Sequence, residues 1–224
     1  MHNFDRLLWK LHRWVRSQPL LYRLTLGTRL LLAVGFIPTG LVKLLGRRFS
    51  NMSPETDIGG FFEVLYQSGL YWRFLGLAQV LAGLLVLWSA TATLGAFLFF
   101  VIMLNVFVIT LSYDFHFTPV ITGSMLLATV YLLLWDYHRL RNLFGLGAED
   151  EGTLALLPQH RLRGTVERGA YVAGLAAGLG FFSGMRGLFF PWGWNRWFLC
   201  GCLGSFVVAL WYGLTALRRP AASG

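Results

Sequence analysis

The chain has 224 residues, of which 56% are hydrophobic and only 13% charged. So apolar a composition leaves little polar surface for a water-soluble domain of any size. The formal net charge is +9, but the basic residues flank apolar segments, as they do in membrane proteins. We therefore expect contact with anionic lipid headgroups and no nucleic-acid binding.

The N-terminal arm, residues 1–24, is predicted to contain an amphipathic helix over residues 3–17. Its apolar residues recur at helical spacing, and Arg6, Lys10 and Arg13 form a basic stripe on the opposite face. Such a helix is expected to lie in the headgroup layer, with its apolar face toward the acyl chains. A helix that binds a protein partner is the alternative interpretation. Pro19 is the expected stop signal.

Six apolar segments are predicted to cross a membrane as α-helices. Each is about 20 residues long, which is enough for a helix to span a hydrocarbon core about 30 Å thick. The predicted fold is therefore an all-α integral membrane protein. The first four segments are expected to form an up-down bundle over 25–143, followed by a loop over 144–168 and a two-helix extension over 169–224. The segments are 25–45, 71–88, 91–111, 118–135, 169–190 and 197–217.

The distribution of basic residues predicts the orientation. With six spans, thirteen of the nineteen Lys and Arg residues share the side of the two termini, and six lie on the other side. The positive-inside rule then places both termini in the cytoplasm. The loop over 46–70 lies outside, and its apolar stretch from Ile58 is expected to form a short helix on the outer surface.

Six polar residues in the outer half are predicted to converge on one pocket. Lys43 and Arg73 lie within about one helical turn of the outer surface, and Gln79 and Asn105 roughly 9–12 Å below it. Asp114 and His116 lie in the turn between the third and fourth spans. Alternatively, the two cations reach lipid phosphates, the amides join helices, and the histidine is an ordinary loop residue.

Neither a metal nor a haem is expected. Cys200 and Cys202 are two residues apart on a helix, so their side chains point about 200° apart and are expected to pack rather than chelate. No two histidines lie at one depth on facing helices, as bis-histidine haem ligation requires. The fifth span has glycines at GxxxG spacing, which allow another helix to approach closely. These are Gly174, Gly178, Gly180 and Gly184.

The first four spans resemble the DoxX-like family of membrane proteins. The resemblance covers roughly residues 24–143. It rests on Arg29 at the start of a span, Gly35, the run from Gly40 to Lys43, the segment 75–83 around Gln79, and the segment 103–110 around Asn105.

This resemblance implies a four-helix membrane bundle in the bacterial inner membrane. It also implies two kinds of function: quinone-linked oxidation of thiols or sulfur compounds, or a role as membrane partner of a redox enzyme. Arg29 and Lys43 match charged positions of the family's first span, whereas the CxxC motif of thiol chemistry is absent. We expect a scaffold or partner subunit, with a quinone-binding redox subunit and a transporter of small molecules or lipids as alternatives. A homo-oligomer is also compatible with the sequence.

Overall fold

A computed structural model describes residues 2–50, 52–113, 115–143, 162, 164–188 and 192–217. All regular structure within these residues is helical, which confirms the all-α prediction. A 3₁₀ turn, Trp192–Trp194, precedes the last helix. The α-helices are α1 (His2–Ser17), α2 (Pro19–Leu44), α3 (Asp57–Gln67), α4 (Leu70–Leu87), α5 (Ala92–Ser112), α6 (Thr118–Trp135), α7 (Tyr137–Leu143), α8 (Thr165–Met185) and α9 (Asn195–Leu217).

Five of the described helices are long and apolar enough to cross a membrane: α2, α4, α5, α6 and, over Asn195–Thr215, α9. The architecture is therefore that of an all-α membrane protein. Helix α8 has 21 residues, yet it is less apolar than these five helices. Glu167 and Arg168 lie near its start, and glycine recurs along it. It also ends at Met185, before the predicted end at residue 190. The sixth span stays a prediction.

Helices α2, α4, α5 and α6 form a bundle around a common apolar core. Helix α2 packs on α4 and α6, and α5 completes the bundle by packing on the same two helices. The Phe36 ring of α2 stacks on the Phe99 ring of α5, with centroids 3.5 Å apart. The buried core residues are Leu32, Ala33, Phe36, Ile37, Ala82, Val86, Ala96, Phe99, Met103 and Leu132.

Helices α8 and α9 pack on each other and on α2. Glycines of α8 permit the close approach, since an added Cβ at Gly178 would lie only 2.8 Å from Val34 Cγ2 of α2. The predicted glycines thus meet neighbouring helices of the same chain: Gly174 lies against Ser205, Gly178 against Val34, Gly180 against Phe198 and Gly184 against Asn195.

The N-terminal arm is helical throughout, apart from Gln18 between α1 and α2. Pro19 occupies the first turn of α2, where its missing N–H costs no helical hydrogen bond. Helix α2 therefore begins before the predicted span start at residue 25. Helix α1 leaves Leu7, Leu11 and Trp14 exposed, which is the face that an interfacial helix presents to lipid.

Candidate functional site

The two ends of the bundle each gather polar side chains. Helix α2 runs from one end to the other, with Lys43 in its last turn. We call the end that contains Lys43 and α3 the Lys43 end. The opposite end, where α1, α7 and the start of α2 meet, is the Asp136 end.

At the Lys43 end, an ammonium group and an amide meet between α2 and α4. Lys43 Nζ donates a hydrogen bond to Gln79 Oε1 at 2.7 Å, and Gln79 is only 6% exposed. The two backbones approach closely here, since an added Cβ at Gly40 would lie 2.8 Å from the carbonyl oxygen of Gly76. Two glycines therefore hold these polar side chains within hydrogen-bonding distance.

Aromatic rings cover this lysine. Its Nζ lies 4.7 Å from the ring centroid of Phe49 and 5.5 Å from that of Trp72. The guanidinium of Arg186, directly after α8, lies 4.3 Å from the same Phe49 ring. It also donates to the Phe49 carbonyl at 3.1 Å. Burial lowers the pKa of Arg186 from its ordinary value. Cation–π contacts therefore compensate two cations that have lost water.

A groove of about 270 Å³ lies beside Phe49, between the loop that follows α2 and α3. Arg48 Nη2 and Glu63 Oε1 pair across it at 2.8 Å. The Trp72 indole donates to the Arg47 carbonyl at 2.9 Å and so fixes one wall. We call this the α3 groove; it is lined by Arg48, Phe49, Ser50, Met52, Ser53, Pro54, Gly59, Phe62, Glu63, Tyr66 and Trp72.

Of the six residues predicted to share a pocket, the structure brings Lys43 and Gln79 together, whereas Asn105 and His116 lie outside this contact. Asn105 is exposed on α5, and its side-chain amide donates to the Val101 carbonyl of its own helix at 2.8 Å. The inward position belongs to Met103, and a residue two further along a helix points about 200° away. His116 is also exposed, in the turn before α6, with φ at +43°.

The other predicted polar site residues that the structure describes are not part of the Lys43–Gln79 contact. Arg73 is exposed, and its guanidinium lies beside Gly46, whose φ is +67°. Asp114 lies outside the described residues. In the basic stripe of α1, Lys10 is exposed and Arg13 half-buried, while the side chain of Arg6 is not among those described.

At the Asp136 end, a buried carboxylate lies among arginines. Asp136 is 3% exposed. Its oxygens lie 3.5 Å from Arg29 Nη2 and 3.9 Å from Arg16 Nη1, and Thr93 Oγ1 donates to Oδ2 at 2.9 Å. Arg139 Nη1 lies 3.3 Å from Thr93 Oγ1 and 2.6 Å from the Ser89 carbonyl. We call this group of Arg16, Arg29, Thr93, Asp136 and Arg139 the Asp136 cluster.

Two histidines join α1 to α7 beside this cluster. The rings of His12 and His138 have centroids 5.5 Å apart, and His12 is 6% exposed. Burial is the main cause that lowers the pKa of each imidazole to about 4, and neighbouring arginine charge acts in the same direction. Both rings are therefore neutral near pH 7. Burial likewise lowers the pKa of Arg16, against the opposing effect of Asp136.

A second buried ion pair links α2 to α8. Arg23 Nε donates to Glu167 Oε1 at 2.7 Å, and Arg23 Nη2 donates to Oε2 at 3.3 Å. Sequence reasoning counted Arg23 and Arg29 among the basic residues that predict orientation and matched Arg29 to a charged position of the DoxX-like family. It assigned no role to Glu167 or Asp136. The available signal was the arginines themselves, because a guanidinium within an apolar helix needs a counter-ion.

Among the described residues, no group of three His, Cys, Asp or Glu side chains could hold a metal ion. Cys200 and Cys202 are free thiols. They lie on α9, the helix that packs on α8 and α2. Within the described residues, the structure thus brings together the Lys43–Gln79 pair with its groove, the Asp136 cluster and the Arg23–Glu167 pair.

This combination of apolar helices and buried charged groups defines a helical membrane protein. The chain is 31% identical, over 117 residues, to the Bacillus subtilis (strain 168) protein named "Uncharacterized protein YwoB". The aligned region is 50% of this chain and 75% of the relative. The chain therefore belongs to the same family as YwoB, a protein whose name assigns no activity. No family model and no solved structure matches the chain.

Proposed function

We propose that the protein is a non-catalytic membrane subunit that binds a partner protein through the α3 groove. The observation that carries this proposal is the way Phe49 lies between Lys43 and Arg186. Because that ring covers the lysine, the Lys43–Gln79 pair joins α2 to α4, and the groove beside it is the concave surface that we assign to a partner. Within the groove, the positive charge of Arg48 is balanced by Glu63, with which it pairs.

The groove suits a partner segment that has both apolar and polar side chains. Its aromatic side chains, Phe62, Tyr66 and Trp72, offer an apolar floor, while Ser50 and Ser53 offer hydroxyl groups. Aromatic residues in a concave surface with a polar rim are typical of binding anchors. We therefore propose an extramembrane loop of another membrane protein as the occupant, inserting an apolar side chain between polar neighbours. The DoxX-like resemblance favours a redox protein.

The proposed arrangement has six spans, with α8 as the fifth, in a bacterial inner membrane. The positive-inside rule supports cytoplasmic termini, so that the α3 groove opens outside. In that setting α1 lies in the inner headgroup layer, and its exposed Leu7, Leu11 and Trp14 face acyl chains.

A photo-crosslinking amino acid at position 62 tests the proposal in intact membranes. We expect one partner protein to be crosslinked at near-stoichiometric yield. This crosslink should disappear in Glu63→Arg, which replaces the acidic side chain of the groove with a basic one. The same probe at Phe206, exposed on α9, is the control and is expected to crosslink lipid. Lipid alone at position 62, or an unchanged partner yield in Glu63→Arg, would refute the partner role.

Quinone binding is the second candidate, and the Lys43–Gln79 pair favours it. An ammonium and an amide beside aromatic rings could hydrogen-bond a quinone carbonyl if the Phe49 ring moved aside. Gentle purification and mass spectrometry of bound molecules would test this candidate. We expect a co-purified quinone to be lost in Gln79→Leu and retained in Asn105→Leu, because the latter amide is exposed and bonds to its own helix.

A further inference from the structure

Helices α2 and α8 end beside each other and in the same way. A glycine with positive φ follows each helix, Gly46 at +67° after α2 and Gly187 at +60° after α8. The amide of the next residue, Arg47 or Leu188, bonds back into its own helix at 2.9 Å and 3.0 Å respectively. This Schellman-type arrangement fixes the direction in which the chain leaves a helix. Both chain segments therefore have a defined position at the Lys43 end.

Two arginines connect these helix ends in opposite directions. Arg47, which follows α2, donates from Nη1 to the Gly187 carbonyl at 3.2 Å. Arg186, which follows α8, donates from Nη1 to the Phe49 carbonyl at 3.1 Å. The Arg186 guanidinium also lies 4.3 Å from the Phe49 ring centroid, so a charge-assisted hydrogen bond and a cation–π contact act on one residue. We call this reciprocal pair of hydrogen bonds the Arg47–Arg186 clasp.

Phe49 connects the clasp to both polar features of this end. Its ring centroid lies 4.7 Å from Lys43 Nζ. The same residue lines the α3 groove, where its ring centroid is 5.8 Å from that of Phe62. A side chain inserted beside Phe62 therefore presses on Phe49, and a displaced Phe49 ring uncovers Lys43.

From this geometry we infer that the Arg47–Arg186 clasp holds the wall of the α3 groove closed over Lys43, so that α8 regulates the groove. The inference rests on the proposed function, because the partner segment in the groove is what opens the clasp. A ligand shifts such an equilibrium only if it binds the open form better. Here the open form offers an extra contact, since the uncovered ammonium group can donate to a carbonyl oxygen of the inserted segment.

Amine labelling tests the clasp, because the chain has two lysines, Lys10 and Lys43. The full chain in detergent is acylated with a water-soluble succinimidyl ester, and the modified fraction of each lysine is followed by mass spectrometry. Lys10 is exposed on α1 and is the internal reference. Relative to it, we expect Lys43 to react about tenfold faster in Arg186→Ala than in wild type. That variant loses a charge-assisted hydrogen bond and a cation–π contact together.

Three further variants make this test specific. Arg47→Ala removes the other half of the clasp from an exposed residue, so it should accelerate the labelling even if Arg186→Ala does not fold. Phe49→Ala removes the cover itself and should react at least as fast. Arg73→Ala is the matched control, because it removes an exposed arginine at the same end, and it should leave the labelling unchanged. Unchanged labelling in both clasp variants, or equal acceleration in Arg73→Ala, would overturn the inference.

Crosslinking at position 62 separates the clasp from the partner role. If Lys43 labelling responds to the clasp variants and no partner is crosslinked, the clasp is supported and the partner role fails. If a partner is crosslinked equally in wild type, Arg47→Ala and Arg186→Ala while Lys43 labelling does not change, the partner role is supported and the clasp is overturned.

Discussion

Arg23 of α2 and Glu167 of α8 form a two-point ion pair although they are 144 residues apart in the chain. Glu167 is fully buried, and Arg23 is 6% exposed. The pair fixes α8 against α2 at the Asp136 end. Further along the two helices, toward the Lys43 end, Gly178 packs against Val34. Two contacts thus attach α8 to the bundle, one through charge and one through close packing.

Breaking this pair should destabilise the protein strongly. Glu167→Gln leaves Arg23 buried without its counter-ion, and loss of one partner of a buried pair costs about 3–5 kcal/mol. We expect a corresponding fall in the thermal midpoint in detergent. Glu63→Gln is the control, because Arg48 is more than half exposed in that pair and such surface pairs contribute about 0–1 kcal/mol. Equal effects of the two variants would contradict the structural role of the buried pair.

We expect the crossing of α2 and α4 to have no room for a side chain at Gly76. An added Cβ at Gly76 would meet the Gly40 carbonyl oxygen at 2.6 Å and would also meet the Leu44 nitrogen. Gly76→Ala should therefore cost about 1–3 kcal/mol through overpacking and move Lys43 away from Gln79. The control is Gly27→Ala on α2, because an added Cβ at Gly27 meets nothing within 4 Å. It should be neutral or slightly stabilising, since alanine favours helix more than glycine does.

The sequence predicted the helices well, because long apolar segments report length and depth directly. Depth arithmetic also placed Lys43 and Gln79 at compatible heights. Depth alone did not predict that Asn105 is exposed. A segment that is apolar on all sides carries no signal for which face turns inward. Asp136 and Glu167 were missed because both were treated as loop or span-end residues. Their role depends on contacts with Arg29 and Arg23, which are distant in the chain.

Acidification should release α1 from α7. The pKa of His12 and of His138 is about 4, below the ordinary 6.5, so the unfolded or undocked state binds more protons between these values. Stability from this contact is therefore complete above pH 6.5 and is lost as the pH falls toward 4. We expect faster hydrogen exchange of residues 7–17 at pH 5 than at pH 7.5, after correction for intrinsic exchange rates.

A variant separates this effect from general acid unfolding. In His12→Leu, exchange of α1 should depend less on pH, because an apolar side chain replaces one of the two groups that gain a proton. His116→Leu is the control: His116 is exposed in the turn before α6, and this variant should keep the full pH dependence. An identical pH profile in wild type and His12→Leu would contradict the assignment.

The topology prediction can be tested at the helix that distinguishes five spans from six. Reporter fusions after residues 114, 150 and 188 should read outside, inside and outside if α8 crosses the membrane as the fifth span. The thirteen-to-six distribution of basic residues supports this order. If α8 does not cross, the fusions at 150 and 188 will report the same side. If 114 and 150 agree, the four-helix bundle itself has the wrong number of crossings.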